Sequence, residues 1–103
     1  MKLTNEFKPI RQWANEKGIY ERGDIKTQTL KLSEEVGELS KGVIEKDQEG
    51  IKDALGDCAI VLVSAAELAG FKLEDCINAA YDVIKNRTGK MDNGTFVKDG
   101  TDA

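Results

Sequence analysis

Between Lys31 and Val63 the chain sets carboxylates on two successive helix-periodic segments, and the second of these is apolar nearly all round. The first reads Lys31-Leu32-Ser33-Glu34-Glu35-Val36-Gly37-Glu38-Leu39. In it Leu32, Val36, Leu39 and Val43 recur at spacings of four, three and four, the stripe of an amphipathic helix. The second opens with Asp53-Ala54-Leu55-Gly56-Asp57 and runs on through Cys58, Ala59, Ile60, Val61, Leu62 and Val63 to Leu68. A helix apolar on so many sides must be covered on more than one of them. In a chain of 103 residues the expected cover is a second copy.

At about 100° per residue, Glu35 falls roughly 60–70° from the centre of the first stripe and Glu38 farther round on the same side. Glu34 falls close to the opposite, solvent-facing side. Glu35 and Glu38, one turn apart, therefore converge beside the core while Glu34 reads as a solvated charge. On the second helix Asp53, Asp57 and Ser64 fall within about 40° of one another. Asp57 has Ile60 and Val61 as next-turn neighbours, so its carboxylate needs a cation, a donor or a proton. A merely solvated acidic face would not put a carboxylate there.

Two carboxylates from each helix supply about four oxygen ligands, a set that suits Mg²⁺ or Mn²⁺ and leaves positions for water and phosphate oxygens. The sequence contains no His, which excludes His-based catalytic dyads and Glu-x-x-His di-iron sites and argues against most zinc hydrolase sites. The net charge of −4 argues against nucleic acid or an anionic membrane as the main partner. A small phosphorylated ligand remains compatible with it, through a metal or a local basic cluster. Lys85, Arg87 and Lys90, gathered at and beyond the last helix, form such a cluster; equally, they complement a helix C-terminus.

The rest of the chain reads as one all-α domain, residues 1–103, of about four helices, with residues 87–103 as a tail. A single Pro and few aromatics among many Ala, Leu, Glu and Lys favour helices over a β-sandwich. The first helix is expected from about Asn5 to Gly18, with Leu3, Phe7, Ile10 and Ala14 on one stripe and Pro9 in the first turn. Trp13 beside that stripe serves equally as a partly buried core aromatic or as a stacking surface for a base. Ile19 to Lys26 reads as a loop or irregular turn. The second helix is expected from Thr27–Thr29 to about Lys46, and the third from about Ile51 to Ala69, with Gly50 as a breaker between them. Gly70 ends the third, and a fourth spans about Leu73 to Asn86, with Leu73, Cys76, Ile77, Ala80 and Ile84 as its stripe. Asn93-Gly94 is expected to close a small hairpin or ordered turn, and Gly100 to Ala103 to be frayed. Cys58 and Cys76 read as buried free thiols. With no signal-peptide pattern and no membrane-length apolar run, the expected location is the cytoplasm, that of the host for a phage-encoded chain.

The segment Lys31–Leu39 resembles the Glu-Glu-x-x-Glu motif of the MazG-like all-α nucleoside triphosphate pyrophosphohydrolases. Leu55-Gly56-Asp57, followed by an apolar helix, resembles the second acidic motif of that family. The resemblance covers the Trp13 region, Gln28 to Lys41, Asp53 to Leu62 and Val83 to Lys98, and its tail is similar to that of the small phage and bacterial branch. It implies hydrolysis of a nucleoside or deoxynucleoside triphosphate to the monophosphate and pyrophosphate, with Mg²⁺, by a helical bundle completed as a homodimer or homotetramer. It further implies Glu35, Glu38 and Asp57 as metal ligands and Glu34 as a residue orienting water. By the same resemblance Trp13, Gln28 and Lys31 are similar to residues near the family's nucleotide pocket, and Lys85, Arg87 and Lys90 would be phosphate contacts. One position departs from the pattern: where the family usually has Glu three residues before the second-motif aspartate, this chain has Ala54, and Asp53 is the expected substitute. That departure favours a second reading, a non-catalytic helical interaction module; phosphoribosyl-ATP pyrophosphohydrolase, which shares the acidic-helix logic, stays open as a third.

Overall fold

The computed structural model describes residues 1–100; the expected fraying of the chain end falls on residues 101–103, outside the described residues. The chain is built from helices α1 (Lys8–Glu16), α2 (Ile19–Arg22), α3 (Ile25–Glu45), α4 (Gln48–Leu68) and α5 (Leu73–Ile84), followed by strands β1 (Gly89–Asp92) and β2 (Thr95–Lys98). The expected all-α architecture holds, with one short helix more than the periodicity reveals.

That extra helix corrects the loop expected over Ile19 to Lys26. Gly18, at φ +81°, turns the chain after α1, and the bonds Arg22 N–H to Gly18 O (2.9 Å) and Gly23 N–H to Ile19 O (2.8 Å) close a single turn. Asp24 is then the N-cap of α3: its carboxylate accepts from the Thr27 N–H at 2.8 Å and the Thr27 hydroxyl at 3.0 Å. With that cap, α3 starts at Ile25, ahead of the expected Thr27–Thr29.

Only Lys46 and Asp47 separate α3 from α4, so the two helices form a tight antiparallel hairpin. Lys46 takes the left-handed conformation, φ +57°, and Asp47 caps α4 by accepting from the Gly50 N–H at 3.0 Å. Gly50 is therefore not a breaker. It lies in the first turn of α4, where a Cβ would sit 2.6 Å from Asp47 Oδ2, and its bareness lets the cap close. At the far end Gly70, φ +89°, terminates α4 and the Phe71 N–H returns to Ala66 O at 2.8 Å.

From there α5 leaves at 100° to α4. Its first turn holds the most buried charge among the described residues, Glu74, bonded to Arg11 and to the Phe7 N–H. One turn on, Asn78 exchanges two hydrogen bonds with the Leu3 backbone, at 2.9 and 2.7 Å. These bonds fasten the N-terminal segment to α5. Beyond it, Asn93 (φ +50°) and Gly94 (φ +81°) join β1 to β2 in an antiparallel hairpin, as Asn-Gly predicts. Neither strand packs against any helix.

The buried core is small: Ala14, Ala54, Val61 and Val63. The Leu32/Val36/Leu39/Val43 stripe does not close a core within one chain, since Val36 and Val43 are 47% and 57% exposed. On α4, Leu55 and Leu62 are exposed as well. The radius of gyration is 16.2 Å, against about 13 Å for a compact domain of this length. Cys58 and Cys76 are free and half-buried. Among the described residues no single helix is long and apolar enough to cross a membrane.

Candidate functional site

The register of the α3–α4 hairpin is fixed at Gly42. A Cβ there would meet the Ile51 backbone nitrogen at 3.1 Å and Ile51 Cγ1 at 3.2 Å, so the two backbones touch at this point. Seven residues back along α3 is Glu35 and seven on from Gly50 is Asp57, each about 10 Å from the contact at 1.5 Å per residue. These two carboxyl-bearing positions are therefore level. By the same count Glu38 is level with Ala54, with Asp53 one residue nearer the contact.

The direction each faces follows from the same contact. Taking Gly42 as the line toward α4, Glu35 lies about 20° and Glu38 about 40° round α3, on either side of it, with Glu34 about 80° round beyond Glu38. On α4, measured from buried Ala54, Asp57 lies about 60° and Asp53 about 100° round. In an antiparallel pair these offsets fall on one side of the hairpin. Glu38, Asp53 and Asp57 thus share a side, with Glu35 in the seam. The opposite side carries Val36 and Val43 of α3 with Leu55 and Leu62 of α4.

Local contacts agree with this layout. The Glu35 side chain is mostly covered and pairs with Lys31 Nζ at 3.8 Å, one turn earlier on α3. Glu38 borders a cleft of about 120 Å³ with Lys41, Gly42, Glu45, Asp47 and Gly50. Asp53, Asp57 and Glu34 are exposed, and Ala54 fills the interface opposite Glu38. Among the described residues no three acidic or thiol side chains gather closely enough to hold one ion. The backbone brings the four carboxylates to one region, and their side chains diverge there. Ser64, expected to share the Asp53–Asp57 face, is buried.

Trp13 lies next to this region. With Pro9, Ile10 and Ile60 it lines an apolar cavity of about 310 Å³, and Ile60 is one turn beyond Asp57 on the same side of α4. Gln28 is half-buried near the start of α3. The cations of the tail stand apart. Lys85 pairs with Asp82 at 3.3 Å, Arg87 borders a cleft with Phe96, Val97 and Lys98, and Lys90 is exposed on β1.

Two polar features escaped sequence reasoning. Glu74 and Arg11 pair across distant segments, and the guanidinium holds the carboxyl well below its usual range, at about 2. Tyr20 of α2 buries its hydroxyl without a well-formed hydrogen bond, and burial pushes its pKa up. Neither signals itself in local periodicity, because the Arg11–Glu74 pairing and the burial of Tyr20 are both tertiary.

Residues 24–91 match the family model of the MazG nucleotide pyrophosphohydrolase domain. A relative from Haemophilus phage HP1 (strain HP1c1), described as an uncharacterized 18.2 kDa protein in the rep-hol intergenic region, is 42% identical over 65 residues. That similarity covers 63% of this chain and 40% of the phage protein, so the chain spans well under two thirds of its relative's length. No solved structure matches the chain.

Proposed function

The chain belongs to the MazG nucleotide pyrophosphohydrolase family, and we propose that it hydrolyses a nucleoside or deoxynucleoside triphosphate to the monophosphate and pyrophosphate with Mg²⁺ or Mn²⁺. The observation that carries this reading is the hairpin register at the Gly42–Ile51 contact, which puts Glu35 level with Asp57 and leaves Glu38 on the same side of the hairpin as Asp53 and Asp57. The donor set fits a hard divalent ion: it is all carboxylate, it comes from two adjoining helices, and its glutamates are long enough to turn inward.

Glu35, Glu38 and Asp57 would hold the ion, with Asp53 in place of the carboxylate missing at Ala54. An ion bound there would neutralise triphosphate charge and acidify a water. Glu34, at the rim of the acidic side, would orient a water for attack on the α-phosphorus, with the α–β phosphoanhydride bond breaking and pyrophosphate leaving. Lys31 holds Glu35 in the helix seam. Trp13 offers an aromatic face to the base in the cavity beside Ile60, and Gln28 is assigned to the same pocket. Lys85, Arg87 and Lys90 contact the phosphates. The exposed apolar side of the α3–α4 hairpin favours a homodimer or homotetramer as the working state.

The test is pyrophosphate release measured across the canonical and several damaged dNTPs with Mg²⁺ or Mn²⁺. Turnover of at least one substrate is expected; no turnover on the whole panel sinks the enzymatic reading. One observation favours a second reading, a helical interaction module without activity: Ala54 occupies the interface opposite Glu38. A calorimetric titration finding no Mg²⁺ or Mn²⁺ binding to an intact oligomer would select it.

A further inference from the structure

The apolar cavity beside Trp13 is a gap between α1 and α4, with Ile60 as its far wall. Viewed down α1, Pro9 lies about 40° to one side of Trp13 and Ile10 about 60° to the other. Continuing round past Ile10, Ala14 lies about 100° and Arg11 about 160° from Trp13. Ala14 is fully buried, so α1 is seated on the strip between the cavity and Arg11. Trp13 and Ile60 are 46% and 37% exposed, and drawing them together takes apolar surface of both out of water. A roll of α1 about Ala14 toward Ile60 would do that and close the gap.

That roll is opposed from the other flank. Arg11, on the side of Ala14 away from the cavity, is held by both carboxylate oxygens of Glu74 on α5. One of those oxygens also accepts from the Phe7 N–H at 2.9 Å. Phe7 is the N-cap of α1, which has no side-chain cap of its own and no acidic residue in its first turn. Glu74 thus does from another helix what a capping-box glutamate does from within one. A helix of 9 residues is too short to hold its place by its own stability. Glu74 grips it at two points one turn apart, Phe7 and Arg11, which fixes its roll as well as its end. Asn78, one turn along α5, ties down only the Leu3 backbone, ahead of the helix.

We infer that Arg11 and Glu74 are positioning residues for the base of the nucleotide: the pair holds α1 rolled away from Ile60 and keeps the cavity open. Neither side chain lines the cavity, so neither touches the base. What enters the cavity rests on the pyrophosphohydrolase reading; what keeps it open rests on geometry alone. A pocket that is open for only part of the time binds more weakly by that fraction. Loss of the clamp is therefore expected to raise KM and spare kcat, since the carboxylates of α3 and α4 are not disturbed.

Two variants test the clamp. The doubly substituted Arg11→Met, Glu74→Gln chain removes it, and neutral side chains of similar volume in place of a buried ion pair commonly leave a protein folded. Glu74→Asp keeps both charges and shortens the reach by one methylene, so it slackens the clamp with the ion pair retained. Trp13 is the only tryptophan in the sequence, so its fluorescence reports on the cavity directly. At the helicity of wild type, emission is expected to shift to the blue and acrylamide quenching to weaken, fully in the double variant and partly in Glu74→Asp. Unchanged emission, or a red shift with stronger quenching, in whichever of the two chains keeps that helicity overturns the clamp, whether or not the protein is an enzyme. In pyrophosphate release by the double variant, KM is expected to rise about tenfold, as for a cavity open about a tenth of the time, with kcat within about twofold of wild type. Asn78→Ala, which frees the N-terminal segment and leaves the clamp, is expected to keep the wild-type emission and KM. An unchanged KM, a loss confined to kcat, or an equal rise of KM in Asn78→Ala contradicts positioning. An inactive wild type would refute the activity and leave the fluorescence to decide the clamp.

Discussion

Arg11 on α1 and Glu74 on α5, 63 residues apart in sequence, form a two-pronged ion pair, with Nη1 on Oε1 at 2.5 Å and Nη2 on Oε2 at 2.9 Å. The Phe7 N–H also donates to Oε2 at 2.9 Å, so the carboxylate is satisfied from two sides in a fully buried position. The pair locks α1, and with it Trp13, to the outer helix. Removing one partner leaves the other charge buried and uncompensated, which typically costs about 3–5 kcal/mol. Glu74→Gln and Arg11→Ala are each expected to lower stability by about 3 kcal/mol in urea unfolding. The double variant should cost much less than the sum, and strict additivity would contradict the pairing.

The same pair gives acid sensitivity a definite window. Glu74 titrates at about 2 in the folded chain, lowered from 4.5. A depressed carboxyl contributes stability that is complete above the unfolded value and is lost as pH falls through the folded one. Unfolding midpoints are therefore expected to fall between pH 4.5 and 2, and Glu74→Gln should flatten part of that fall. An equal acid dependence in the variant would assign the effect to other groups.

Gly42 sets the register of the α3–α4 hairpin, and a side chain there presses on the Ile51 backbone at 3.1 Å. Overpacking of this kind costs about 1–3 kcal/mol. Gly42→Val is expected to destabilise by that amount and to misalign Glu35 with Asp57, so that metal affinity measured by calorimetry drops along with stability. Unchanged metal affinity would show that the seam does not position the ligands.

Ala54 offers a test of the missing carboxylate. It is 3% exposed and lies opposite Glu38 across the seam. Ala54→Glu buries an acid among acids, at a cost of about 2 kcal/mol or more without a cation. The variant is expected to melt below wild type in chelator and to regain the difference in millimolar Mg²⁺, more than wild type gains. A melting temperature indifferent to Mg²⁺ would count against a metal at this position.

Local signals carried much of the architecture. Four-three-four spacing located α3, an unbroken apolar run located α4, and Asn93-Gly94 announced the hairpin. What periodicity could not supply was direction in space. The Leu32/Val36/Leu39/Val43 stripe is real, yet α4 packs beside it at Gly42, leaving Val36 and Val43 open in the single chain. A one-turn helix between Gly18 and Gly23 is too short to show a period, and Gly50 looks like a breaker until the Asp47 cap is seen. The carboxylates of the site were legible by type and spacing, and the hairpin register brings their backbones to one region. The buried Glu74 was not legible, because its partner is 63 residues away.

The proposed reaction requires carboxylates of two helices to act on one nucleotide. Its most direct test is pyrophosphate release by wild type, Glu38→Gln and Asp57→Asn at saturating Mg²⁺, on the best dNTP of the panel, with folding checked by circular dichroism. Release by wild type is expected, with a loss of at least about a hundredfold in either variant at unchanged helicity, as when a group that binds a catalytic ion is removed. Variants that keep wild-type release with Mg²⁺ would contradict it.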